Sequence, residues 1–241
     1  MESLCPHTDS VVIEGRSFTS AEVIEALSSY VRPERQETIR AVVEKRTYTV
    51  TPVLEGVHDR GNISAVMRTA ESLGYQSLHI IETERFFRKA NRVTQGADKW
   101  LDVSRWPTTR ECMGHLRGRG YRIVVTDMNA DSKPIGDVSF DVPTALFFGN
   151  EGTGASDELI EAADDCVVVP MDGFTQSFNI SVAAALSLYH IQQARIREFG
   201  SHADLTEAEK QNLLASYFMR SVNRSKEILV RLRDEKSQEL A

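Results

Sequence analysis

From Val50 onward, five short apolar runs, near residues 50–55, 77–81, 121–126, 144–148 and 166–169, are separated by segments of helical period. Between the first two, Ile63, Val66, Ala70 and Leu73 draw a stripe at helical spacing that ends at Gly74. Short apolar strands alternating with helices imply an α/β fold around a central parallel sheet. In such sheets ligands bind outside the carboxyl ends of the strands, so the loops there carry the functional information.

Three of those loops are unusual. The segment Asn62-Ile63-Ser64-Ala65-Val66-Met67-Arg68-Thr69-Ala70-Glu71 opens the first core helix. Asn62 suits a cap there, and Arg68 has Glu71 within i, i+3 reach. The segment Gly149-Asn150-Glu151-Gly152-Thr153-Gly154-Ala155-Ser156 follows a strand. Its glycines allow a ligand to approach the backbone, and the missing Gly-Lys-Ser/Thr argues against a nucleotide-hydrolysing phosphate loop. The third runs from the valines 167–169 through Pro170, Met171, Gly173, Phe174, Gln176, Ser177, Phe178 and Asn179 into an alanine-rich helix. Ser177 or Asn179 can cap that helix, which is predicted to reach about Phe199 and stop at Gly200.

Together, in this order, the three segments resemble the signature of the SpoU/TrmH branch of the SPOUT methyltransferases over roughly residues 34–200. The resemblance implies a trefoil-knot α/β core, a homodimer whose active site uses both subunits, and 2′-O-methylation of an RNA ribose by S-adenosylmethionine without a metal. It implies a catalytic set of Asn62, Arg68, Glu151, Ser177 and Asn179, with Glu151 holding Arg68 or a partner group. The cofactor is expected against Thr126, Gly149, Val169, Met171 and Phe178. Most family members have leucine where Phe178 stands, and those that methylate guanosine 18 of tRNA usually have His-Asn where this chain has Gly61-Asn62. A guanidinium stays protonated to a pKa above about 12, so Arg68 stabilises the developing alkoxide unless burial beside the sulfonium makes it a base.

Charge bears on the substrate. The chain is formally −7, yet residues 84–122 hold ten Lys or Arg against four Asp or Glu. One basic surface on an acidic body is therefore expected, centred on Arg85-Phe86-Phe87-Arg88-Lys89-Ala90-Asn91-Arg92, which can grip phosphate and stack on bases. Arg195 and Arg197 are added as candidate phosphate contacts. The resemblance points to tRNA, most closely guanosine 18 of the D-loop; ribosomal RNA is the alternative substrate, and a knotted RNA-binding protein without catalysis the alternative class.

The remainder is expected to flank the core. Residues 1–48 read as a mobile leader to about residue 18, a helix opened by the Thr19/Glu22 capping box, and a second opened by Pro33. Residues 49–200 form the methyltransferase core. Within 201–241, the Thr206/Glu209 box opens a helix whose stripe, Leu214, Phe218, Val222, Leu229 and Leu232, suits packing on the core or a partner. Three cysteines without metal or disulfide spacing fit a reducing compartment. No membrane-length apolar run or leader peptide is visible, so a cytoplasmic protein is expected, or an organellar one after processing.

Overall fold

Strands that must be buried on both faces need uninterrupted apolar runs, and Val50–Glu55 and Thr144–Phe148 are buried along their whole length. A computed structural model describes residues 3–81, 96–128 and 132–239. In chain order it contains β1 (Ser10–Ile13), β2 (Arg16–Thr19), α1 (Ser20–Ser28), α2 (Pro33–Val43), β3 (Val50–Glu55), α3 (Arg60–Ser72), β4 (Ser77–Ile81), β5 (Asp102–Trp106), α4 (Thr109–Gly118), β6 (Arg122–Thr126), β7 (Lys133–Pro134), β8 (Thr144–Phe148), α5 (Asp157–Ala162), β9 (Asp165–Val168), α6 (Ile180–Phe199), α7 (Glu207–Ser221) and α8 (Ser225–Glu239). These divide into two units, one of residues 47–202 and one built from 3–46 together with 203–241. None of the described helices is long and apolar enough to cross a membrane.

The larger unit is a seven-stranded sheet in the order β5-β4-β3-β8-β6-β9-β7, parallel at every pairing. β3, β8, β6 and β9 are consecutive neighbours, so the loops that leave their carboxyl ends gather at one edge of the core. α3 packs against α6, burying Ile63, Val66, Met67 and Ala70 on one side and Ala184, Leu188 and Ile191 on the other. Two hydrogen bonds anchor α6: the Tyr75 hydroxyl donates to the Leu188 carbonyl at 2.6 Å, and the Gln192 amide donates to that of Leu73 at 2.8 Å.

The five expected core strands are all present, and two more occur. β5 escapes the sequence because it is an edge strand, only partly buried and rich in polar residues. β7 is two residues long.

In the smaller unit, α1 packs on α7 and α8. Both capping boxes form, at Thr19/Glu22 and Thr206/Glu209. Two expectations need correction. The segment read as a mobile leader contains the β1–β2 hairpin, whose turn residues Glu14 and Gly15 both have positive φ, at 50° and 76°. That is the turn form that matches strand twist, and its Val11, Ile13 and Phe18 alternation is short enough to pass for irregular sequence. The stripe from Leu214 to Leu232 is not one helix either. Val222 is extended and Arg224 adopts φ 56°, which separates α7 from α8.

His79 sets an acid limit on the larger unit. It is buried on β4 and its Nδ1 accepts the Trp106 indole N–H at 2.9 Å. Burial, helped by nearby His115, pushes its pKa down from 6.5 to about 4, and burial does the same to His202. An unfolded chain binds these protons below about pH 6.5 while the folded one does not, so stability is full above that pH and declines toward pH 4. Denaturation midpoints should therefore fall between pH 6.5 and 5, with a shallower slope in His79→Gln.

Candidate active site

The start of α3 settles how Asn62 is used. Asp59, not Asn62, is the cap: its Oδ1 accepts the Asn62 backbone N–H at 2.9 Å. The Asn62 side chain is thereby free to work outward. Its Nδ2 donates to Glu151 Oε1 at 2.9 Å, and its Oδ1 accepts from Asn179 Nδ2 at 3.2 Å. Asn179 caps α6, its Oδ1 accepting the Ser181 N–H at 2.9 Å and the Ser181 hydroxyl at 2.6 Å.

Both ends of this chain are chemically unambiguous. A backbone N–H can only donate and an ionised carboxylate can only accept, so each amide between them has one satisfying orientation. The donors all point the same way, from Ser181 through Asn179 and Asn62 to Glu151, an arrangement in which each bond polarises the next. Sequence reading placed three of these residues at the site and missed Ser181. Its signal was the Asx spacing, a donor two residues beyond Asn179.

Glu151 is presented by a tightly built loop. Asn150 Nδ2 donates to the Gly56 carbonyl at 2.6 Å, and its Oδ1 accepts from the N–H groups of Gly152 and Thr153 at 2.7 and 3.1 Å. At the far end, Glu55 is 4% exposed and accepts three bonds. They come from the Ser156 N–H at 2.9 Å, the Ser156 hydroxyl at 2.7 Å and the Thr109 hydroxyl at 2.6 Å. Gly149 is obligatory, since a Cβ there would stand 2.3 Å from the Ala155 nitrogen.

Beside this loop lies a cavity of about 350 Å³, at the small end of the roughly 300–1,000 Å³ usual for small-molecule sites. Thr126, Gly149, Val169, Met171 and Phe178, the residues expected to meet the cofactor, all line it, as do Glu151 and Ser177. Asp127, Met128 and Gln176 also line it and were missed. Asp127 directly follows β6, and an acid just past a strand's carboxyl end was the available signal.

Other expected residues are not brought together. Arg68 is exposed and, among the described residues, makes no hydrogen bond or ion pair, with Glu71 or with Glu151. Six positions along a helix turn it well away from the direction of Asn62. Arg195 is a correction: it is 5% exposed and its guanidinium donates to the Phe140 carbonyl at 2.6 Å, so it is spent inside the fold. Arg197 is exposed. Arg85, Arg88, Lys89 and Arg92 lie outside the described residues.

The model of the SpoU rRNA Methylase family matches residues 49–189. The chain belongs to the SpoU methylase family. The tRNA (guanosine(18)-2′-O)-methyltransferase of Borreliella burgdorferi is 37% identical, over 83% of this chain and 91% of its own. That of Aquifex aeolicus is 34% identical over 78% and 90%. Among solved structures, the A. aeolicus TrmH/SpoU tRNA modifying enzyme superposes with a TM-score of 0.72 at 30% identity, covering 79% of this chain and 98% of that one. The SpoU methyltransferase AviRb of Streptomyces viridochromogenes in complex with AdoMet gives 0.57 at 28% identity, covering 65% and 61%.

As a SpoU methylase the chain is an RNA methyltransferase with S-adenosylmethionine as donor. The cavity suits that cofactor, with valine and phenylalanine walls for an apolar ring and a glycine-rich rim that exposes backbone. Gly149→Ala should force Ala155 away, lowering the melting temperature and weakening S-adenosylmethionine binding at least about tenfold by calorimetry.

Proposed function

We propose that this SpoU methylase methylates the 2′-hydroxyl of guanosine 18 in the D-loop of tRNA, working as a homodimer. The single observation that carries the reading is the oriented chain Ser181, Asn179, Asn62, Glu151 ending at the wall of the cofactor cavity. The tRNA (guanosine(18)-2′-O)-methyltransferase names of the relatives supply the nucleotide. S-adenosylmethionine, held against Thr126, Gly149, Val169, Met171 and Phe178, would supply an electrophilic methyl for the ribose oxygen.

The residues of this chain have the task of positioning that oxygen and balancing its growing negative charge. Asn62 and Asn179 hold fixed amide orientations beside Ser177 and act as the ribose seat. Arg68, exposed and uncommitted among the described residues, is the cation for the oxyanion. Arg197 and the basic segment from Arg85 to Arg92 are the phosphate contacts.

A second copy gives Arg68 a site to serve. Along α6, Val182, Leu186, Tyr189, Ile196 and Phe199 form an apolar stripe, each residue 39–55% exposed. The opposite face of the helix is buried, so α6 is apolar on both sides, a pattern that asks for a partner on the outer one. The occupant is another α6 from an identical chain. Sedimentation should give twice the 27.0 kDa chain mass, and Leu186→Glu should yield monomers with little methyl transfer.

Labelled methyl from S-adenosylmethionine should appear in 2′-O-methylguanosine 18 when total tRNA is the acceptor. Label confined to ribosomal RNA would overturn the substrate assignment. Arg68→Ala should lower kcat about a hundredfold or more while changing cofactor affinity less than about threefold; an active variant would remove Arg68 from the chemistry.

A further inference from the structure

The cavity has a one-sided polarity. Two carboxylates line it, Asp127 and Glu151, and among the described residues no lysine, arginine or histidine does. Glu151 is already engaged by Asn62. Asp127 is not: its side chain makes no hydrogen bond or ion pair among the described residues, although its backbone is fixed. Its N–H donates to the Val167 carbonyl at 3.0 Å, and its own carbonyl accepts the Ser132 hydroxyl at 2.9 Å. Its Oδ1 lies 3.7 Å from where a Cβ on Gly154 would stand, which sets the carboxylate beside the glycine loop.

A held but unsatisfied anion in a cavity whose described lining carries no cation repels phosphates and attracts positive charge. The donor and product of methyl transfer differ in that property. S-adenosylmethionine carries a sulfonium and is a net cation, whereas S-adenosylhomocysteine has a neutral thioether. Their adenosine and amino-acid groups are the same, so contacts with those parts cancel when the two affinities are compared.

We propose that Asp127 is the residue by which the cavity favours the cationic methyl donor over its neutral product. The inference rests on the reading that this cavity holds S-adenosylmethionine. Transfer of the methyl abolishes the attraction at the moment the reaction is complete, and the spent cofactor leaves a site that no longer holds it by charge. Two unit charges a few ångströms apart in a half-exposed site shift such a ratio by about three- to tenfold.

The test is calorimetric titration of the full chain with each compound, without RNA. Asp127→Asn should weaken S-adenosylmethionine by about three- to tenfold and change S-adenosylhomocysteine by less than about twofold, while Asp127→Glu keeps the wild-type ratio. In the wild type, added salt should weaken the methyl donor more than the product. The proposal is overturned if Asp127→Asn weakens both compounds equally or neither, or if salt acts on both alike. A wild-type protein that binds neither compound would bring down the cofactor reading itself, a different result from an unchanged ratio.

Discussion

The buried carboxylate of Glu55 is the tie on which the site depends. It ends β3 and accepts bonds from the first residues of two other segments, Thr109 at the head of α4 and Ser156 at the cap of α5. Each hydrogen bond to such a buried carboxylate is worth about 1.5–3 kcal/mol. Because Ser156 closes the loop that begins at Gly149, that carboxylate also fixes the place of Glu151. Asn150 secures the other end on Gly56, the residue next to Glu55. The loop between is therefore set by a strand buried along its whole length rather than by its own conformational preference.

From there order passes outward through side chains. Glu151 orients Asn62, Asn62 agrees with Asn179, and Asn179 also caps α6, so helix capping and site construction use opposite atoms of one amide, Oδ1 for the cap and Nδ2 for Asn62. Capping and contact across the site are thus joined in one Asn179 side chain. For Asn62 they separate, since Asp59 takes the capping duty. Glu151, Asn62 and Asn179 thus form one connected set, whereas Arg68 stands outside it.

Much of this was legible in the residues because parallel strands buried on both faces leave long apolar runs, and because glycine, asparagine and proline punctuate the loops between them. The β1–β2 hairpin and β5 were hidden for the opposite reason: a short exposed strand has little hydrophobic content to reveal it. Arg195 shows a different limit. A basic residue near a helix end reads as a surface group, and only packing reveals that its guanidinium is enclosed against the Phe140 carbonyl. The break at Arg224 was equally silent, for the apolar stripe continues across it while the backbone turns left-handed. In the site, residue types showed which groups could meet a ligand; which amide faces which partner required coordinates.

The smaller unit joins the two ends of the chain, residues 3–46 and 203–241, with the whole sheet unit inserted between them. On the ribosome its first half emerges early and has no α7 to cover Val23 and Leu27 until the last helices are made. The sheet unit has all its strands by residue 168 and its covering helix by residue 199, so it is complete within itself before that. Domains fold as units as they emerge. Biosynthesis therefore reverses the order of the sequence: the middle matures first, and the amino-terminal hairpin and helices wait for the carboxyl terminus.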